Sequence, residues 1–163
     1  MNPSLLLTER LKLVLPSVEE ARASVESLSP AEREHVSPEW LEQFLNAKES
    51  DPWIHGFAIV HREDSTEIGQ CGFKGPPDED GVVEIAYMVH PDQQGQGYAT
   101  EAALALVQFA FSNDEVCIVR AHTLPEINAS MRVLTKCGFQ SVGMVNDPED
   151  GTVERWETLR ESL

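Results

Sequence analysis

Gln94-Gly95-Gln96-Gly97-Tyr98-Ala99 is the stretch on which the reading of this chain turns. An apolar run, residues 82–89, precedes it, and an almost wholly apolar helical pattern, residues 100–111, follows it. The order is strand, glycine loop, helix start. Gly95 and Gly97 let the main chain bend where a Cβ would obstruct it. A helix that begins just after them turns its unpaired N–H groups, and the positive end of its dipole, back on the loop. That arrangement suits a phosphate or pyrophosphate held by main-chain donors, with no lysine required. Two glycines in six residues also make an ordinary turn; the strand ending at Pro91 and the alanine-rich helix give the anion reading its context. Two other nucleotide loops are excluded by the letters. Tyr98-Ala99 stands where a Walker loop has Lys-Ser/Thr, and Thr100 stands where a dinucleotide fingerprint has its third glycine.

The 163 residues suit one domain, 1–163, with room for a proper core. Hydrophobic residues make up 41% and charged residues 25%, ordinary values for a globular protein. No apolar run approaches the ~18 residues of a membrane helix. The N-terminal residues lack the basic region of a signal peptide, so a cytoplasmic location and no membrane partner are expected. Cys71, Cys117 and Cys137 are widely spaced, with no zinc-like cluster, and read as buried reduced thiols; no metal is expected. The formal charge of −16, from 28 acidic and 12 basic side chains, argues against nucleic acid as a direct ligand. It fits a cationic acceptor drawn in by a negative field, or simply an acidic solvated surface.

Along the chain, residues 5–15 alternate as a first strand ended by Pro16. Ser17-Val18-Glu19-Glu20 is a capping box that opens a helix broken at Ser29-Pro30. A second helix starts at Ser37-Pro38 with a stripe of Trp40, Leu41, Phe44 and Leu45. Residues 53–61 and 67–73 form a hairpin. Residues 82–89 alternate little and read as a strand buried on both faces. In the helix after the loop, Glu101, Gln108 and Ser112 leave one narrow wet stripe. Residues 116–121 make another buried strand, and His122 falls at its end. Asn128, or a residue just before it, caps a short helix stopped by Gly138. Two last strands, 139–145 and 152–159, close the pattern. It amounts to an α/β (α+β) fold, with a mixed sheet and helices on both faces.

The motifs, taken together, resemble the GNAT superfamily of N-acyltransferases over nearly the whole chain. Gln94-x-x-Gly97-x-Ala99 after Val89-x-Pro91 is similar to its acyl-CoA-binding motif. Glu84-Ile85-Ala86-Tyr87 is similar to its fourth strand, and Asn128-Ala129-Ser130 with Val133-Leu134-x-Lys136-x-Gly138-Phe139 resembles its second signature. Gly69-x-Cys71-Gly72-Phe73-Lys74-Gly75 and the opening Thr8-Glu9-Arg10-Leu11 resemble the Rim-type branch, that of ribosomal-protein N-terminal acetyltransferases. The resemblance implies a mostly antiparallel sheet of about seven strands whose central pair splays apart. It also implies transfer of the acetyl group of acetyl-CoA to a primary amine. The backbone of Val89 would then pair with the pantetheine arm. The amides of Gly95, Gln96, Gly97, Tyr98, Ala99 and Thr100, after Gln94, would hold the pyrophosphate. Relatives are often dimers, which leaves a homodimer open.

The chemistry sets requirements on side chains. A free alkylamine is mostly protonated at neutral pH and must lose a proton before it attacks a thioester. Glu84, on the strand lining the notch, is the candidate base; it can equally be a strand carboxylate paired to Arg or Lys. A strand amide near Val89 could hold the oxyanion. Many relatives protonate the leaving thiolate with a tyrosine two residues before the equivalent of Lys136, where this chain has Leu134. Ser130 is the substitute candidate, or only a first-turn helix residue. Asn128 would bond the pantetheine or cap its helix, and His122 could also face the notch. The missing tyrosine sustains an alternative from another class, a non-catalytic acyl-CoA-binding sensor or partner module. A hydroxyl acceptor is a third reading. Acceptor choice would rest on residues 25–55 and 146–151; a protein N-terminus, a polyamine and an aminoglycoside-like amine all fit.

Overall fold

The computed structural model describes residues 5–34, 38, 41–42, 52–123, 129–148 and 151–160. The chain opens with a hairpin, β1 (Leu5–Leu7) and β2 (Leu11–Val14), paired antiparallel with Leu6 opposite Leu13. Alternation over residues 5–15 predicts one strand; Thr8 cuts it in two. Its N–H donates to the Leu11 carbonyl at 2.9 Å, and its hydroxyl oxygen accepts from the Leu11 N–H at 2.9 Å. A side chain that satisfies the main chain three residues on in this way competes with a continuous strand.

Ser17 caps α1 (Val18–Glu26) as its sequence requires: the Glu20 N–H donates to Ser17 Oγ at 3.1 Å, and the Ser17 N–H donates to Glu20 Oε1 at 3.4 Å. Pro30 does more than break that helix. It begins α2 (Pro30–Glu34), where its missing N–H costs nothing. Val25 packs with Leu28, Leu41 and Ile54 in a small cluster apart from the main core. Of the helix expected from Ser37, only Pro38, Leu41 and Glu42 fall among the described residues; Trp40, Phe44 and Leu45 lie outside them.

The strand expected over residues 53–61 is shorter. Residues 52–54 are a turn, Gly56 takes φ +70°, and β3 runs Phe57–His61. Trp53 instead seats its ring edge-on against Phe73, 4.6 Å between centroids, with Phe109 at 5.2 Å. β4 (Glu67–Phe73) completes the hairpin, and β5 (Val82–Val89) adds antiparallel to it. A 3₁₀ turn at Pro91–Gln93 leads through the glycines into α3 (Tyr98–Phe111), which crosses back to β6 (Ile118–Thr123). β6 begins and ends two residues later than expected, so His122 lies within it. α4 (Ala129–Lys136) stops at Gly138, φ +88°, with Phe139 N–H on the Leu134 carbonyl at 3.0 Å and Gly138 N–H on that of Thr135 at 3.1 Å. This is the double bond pattern that glycine permits just past a helix end. β7 (Gln140–Asp147) and β8 (Gly151–Leu159) form the last hairpin.

The strand order is β1-β2-β3-β4-β5-β6-β8-β7, eight in one sheet, with β5 and β6 parallel and every other described pair antiparallel. A parallel neighbour requires a long crossover, and α3 supplies it. Ala102, Ala103, Leu106, Val107 and Ala110 of α3 are at most 1% exposed and meet Leu11, Leu13, Ile59 and Val83 in the main core. Two burial expectations change. β5 is covered on both faces only at its start, since Ala86 and Met88 are exposed. Cys71 and Cys137 are buried free thiols as expected, but Cys117 is exposed.

Candidate acyl-donor and acceptor cleft

β5 and β6 pair only at Val82 with Ile118, Val83 with Val119 and Glu84 with Arg120; beyond Glu84 they part. Register with β4 fixes what the freed edge presents. The Lys74 N–H donates to the Glu84 carbonyl at 2.9 Å and the His90 N–H to the Ile68 carbonyl at 2.8 Å. In an antiparallel ladder alternate residues point their N–H and C=O groups at the same neighbour. Residues 84, 86, 88 and 90 therefore face β4, while the main-chain groups of Tyr87 and Val89, beyond the last β6 pairing, face the gap. The carbonyl of Val89 accepts from Gln94 Nε2 at 2.9 Å, which ties the end of the open edge to the loop that follows.

That loop carries Gly95 at φ +80° and Gly97 at φ +85°, a region costly for any residue with a Cβ. Gly97 is the N-cap of α3 and supplies no capping side chain, so the first-turn N–H groups keep no partner from that residue. Residues 94–97 are exposed, and a Cβ on Gly95 would meet nothing within 4 Å. The loop leading into the helix is thus open to solvent. From the other side Arg10 reaches the loop: Nη1 donates to the Gln96 carbonyl at 2.9 Å, and its guanidinium carbon lies 4.6 Å above the Tyr98 ring. Glu101 anchors Arg10 in turn, through Nε at 2.8 Å and the Arg10 main-chain N–H at 2.8 Å, and also accepts from the Thr8 hydroxyl. Burial pushes the Glu101 carboxyl up, but the hydrogen bonds from Thr8 and Arg10 together outweigh it and hold the group below its usual range.

At the head of the gap is a cleft of about 120 Å³, lined among others by Lys74, Glu84, Tyr87, His122 and Ser130. Glu84 Oε2 lies 2.9 Å from Lys74 Nζ and 3.1 Å from His122 Nδ1. Arg155, opposite His122 in the β6–β8 register, donates Nε–H to His122 Nε2 at 3.1 Å. A guanidinium can only donate, so Nε2 accepts, and the ring proton sits on Nδ1 facing Glu84. Both partners of Glu84 fall on Oε2; among the described residues Oε1 makes no hydrogen bond or ion pair. Asp147 Oδ2 lies 3.9 Å from His122 Nδ1. Glu84, His122 and Asp147 bring ligand-capable atoms within 4.8 Å of one another, with Lys74 and Arg155 seated on the same set.

Sequence reasoning thus finds two of these residues and misses why they belong together. Glu84 is both a notch residue and a paired carboxylate. His122 stands beside it. Lys74 falls in the 69–75 motif and Asp147 in the 146–151 stretch, but neither is marked there as belonging with Glu84. Arg155 gives no local signal, since three different strands or strand ends deliver these residues. Ser130 lies in the first turn of α4 at the cleft wall, and its carbonyl accepts from the Tyr87 hydroxyl at 3.5 Å. Asn128 lies outside the described residues. Leu134 is fully buried. A phenol nonetheless reaches the cleft, from the opposite wall: burial pushes Tyr87 up to about 12, so its hydroxyl keeps its proton across the physiological range.

The chain matches the family model described as an acetyltransferase (GNAT) domain over residues 13–140. It is 30% identical over 107 residues to the uncharacterised N-acetyltransferase p20 of Bacillus licheniformis, covering 66% of this chain and 60% of that protein. The chain spans between half and three-fifths of the length of the curated relatives it first matches. Among solved structures, an acetyltransferase (GNAT family) from Bacillus anthracis superposes with a TM-score of 0.67 at 20% identity, covering 96% of this chain and 99% of that one. The aminoglycoside acetyltransferase AAC(6')-Ib, crystallised with coenzyme A, superposes with a TM-score of 0.66 at 20% identity, covering 93% and 96%. At such identities the superpositions speak for the fold, a mixed sheet with one parallel pair at its centre. The family-model match extends from β2 to the start of β7, across the glycine loop and the cleft, and the chain belongs to the acetyltransferase (GNAT) domain family.

Proposed function

We propose that this chain is a single-domain N-acetyltransferase that moves the acetyl group of acetyl-CoA to a primary amine by direct attack on the thioester. The observation that carries this reading is the free edge of β5, which opens beside Glu84 at one end and beside an exposed glycine loop at the other. An extended pantetheine arm can complete that edge as a strand would, bonding to Val89 and Tyr87 main-chain groups. The amides of residues 95–100, with Gln94 leading in, suit the pyrophosphate. Asn128, just before α4, is assigned to the pantetheine by its motif.

On the acceptor side, Glu84 holds the amine. Lys74 already rests a primary ammonium on its carboxylate, which displays the chemistry an acceptor ammonium would use. His122 and Arg155 fix the carboxylate through Oε2, and Oε1 is left to take the proton as nitrogen attacks. As the carbon–sulfur bond breaks, the thiolate needs a proton, and the Tyr87 hydroxyl offers one; Ser130, across the cleft, is the second donor candidate. The net charge of −16 favours a basic acceptor over an acidic one. The Thr8-Glu9-Arg10-Leu11 opening keeps the Rim-type branch, and hence a peptide N-terminus, foremost among acceptors.

Release of coenzyme A thiol is the test, followed against peptides, polyamines and aminoglycosides, with calorimetry of coenzyme A binding alongside. Amine-dependent release that Glu84→Gln abolishes, while coenzyme A still binds, is the expected result. Tight binding with no release for any amine would instead favour an acyl-CoA sensor. Absence of coenzyme A binding would remove both readings.

A further inference from the structure

We propose that Arg10 is a positioning residue for the pyrophosphate loop, holding the Gln96–Gly97 peptide in the orientation a ligand needs. The inference rests on the reading of that loop given above. Glycine lowers the barrier to the φ +80° and +85° conformations but does not select them, because an unrestrained glycine visits either sign about equally. Some other group has to choose. The N-cap has no side chain to do so.

Arg10 makes the choice from the turn between β1 and β2. Its Nη1 draws the Gln96 carbonyl toward it at 2.9 Å. In a trans peptide the carbonyl and the next N–H point in opposite directions, so this bond turns the Gly97 N–H away from Arg10. The ring of Tyr98 lies 4.6 Å beneath the guanidinium, and a Cβ on Gly97 would come within 3.2 Å of Nη2. Three consecutive residues of the loop therefore bear on one side chain. That side chain is itself immobilised, with Nε and the main-chain N–H both on Glu101 and Thr8 on the same carboxylate.

The arrangement also deals with a charge. Glu101 sits in the first turn of α3, where a carboxylate would compete with a bound anion for the helix N-terminus. Arg10 and Thr8 take up both of its oxygens.

The test uses the full chain with Arg10→Lys and Arg10→Ala. Lysine keeps the charge but cannot reach Glu101 and Gln96 together. We expect coenzyme A affinity to fall about tenfold in Arg10→Lys, as if the competent loop were populated roughly a tenth of the time. Turnover at saturating acetyl-CoA should stay within about twofold, because the bound loop is the same. Amide hydrogen exchange at residues 95–99, measured without ligand, should quicken in both variants; loss of a direct phosphate contact would not change it. If both variants fold, bind coenzyme A as the parent does and exchange at the parent rate, Arg10 does not position the loop. A variant that only melts earlier, with unchanged affinity below its transition, overturns the proposal equally. If the parent itself has no affinity for coenzyme A, the loop reading fails and takes this one with it.

Discussion

Residues 82–84 of β5 lie alongside β6, whereas residues 85–89, among the described residues, pair with β4 alone. Both halves are built from the same apolar vocabulary, Val-Val-Glu and Ile-Ala-Tyr-Met-Val. The first half is core: Val83 is 2% exposed and sits under α3. The second half leaves Met88 53% exposed and turns the main-chain groups of Tyr87 and Val89 to an open edge. What separates them is the neighbour, not the composition. An unpaired strand edge is normally a liability that proteins cover or charge. Here it lies in the middle of a sheet, between two strands that share a zipped end, so no second sheet can add to it, while a single extended ligand can.

The largest predicted effect tests the junction between the halves, where Glu84 stands. Glu84→Gln should lower kcat by about a hundredfold or more, the scale of general acid–base catalysis, and leave coenzyme A affinity unchanged. A loss of affinity instead would move Glu84 from the acceptor side to the strand pairing. Next comes Tyr87, on the open half. Tyr87→Phe should cost about tenfold or somewhat more in kcat if its phenol protonates the leaving thiolate. Because burial holds that phenol near about 12, the parent's rate should show no loss from Tyr87 deprotonation below pH ~11, so an alkaline limb that survives in Tyr87→Phe belongs to another group.

Further along the open half, Gly97→Ala should weaken coenzyme A binding about tenfold, since alanine in a left-handed conformation costs roughly 1–2 kcal/mol and Arg10 crowds its Cβ. Gly95→Ala should do less, having the same backbone cost but open space around the methyl. Equal effects from the two would show that crowding by Arg10 counts for nothing. A smaller effect is set by Glu101, whose carboxyl is held below its usual range. The depressed folded value means that its stabilisation is present above the unfolded carboxylate pKa of about 4.3 and is lost as pH falls through the folded value. Glu101→Gln should therefore melt earlier than the parent at neutral pH and converge with it in acid; parallel curves at all pH values would break the assignment. Smallest of all, a thiol reagent at mildly alkaline pH should modify Cys117, near the zipped end, and spare Cys71 and Cys137, which burial holds near about 12 and 11.

Local physics made much of this legible. The capping box at Ser17, the stop at Gly138, the glycine loop and the buried face of α3 each depend on residues within a few positions of one another, so the order of letters is enough. The errors share a cause. Thr8 was readable as a strand residue because its turn is made by a side chain bonding three residues on. Residues 53–54 read as strand because Trp53 and Ile54 are apolar, yet Trp53 packs on Phe73 and Phe109 in other elements. β5 reads as doubly buried because periodicity cannot say where a partner strand leaves.

By itself, then, the chain of residues determined the family, most of the element order, and the place of the glycine loop at a helix start. Those follow from hydrophobic period, caps and φ preference, which are short-range. Tertiary structure decided that Glu84 takes Lys74 and His122 as partners, that Arg155 fixes the imidazole tautomer, and that a phenol from β5 stands across the cleft from Ser130. It also decided that Arg10 holds Gln96 across a sequence separation of 86. Electrostatic and hydrogen-bond partnership depends on distance in space, and for residues on different strands that distance is set only when the sheet closes around them.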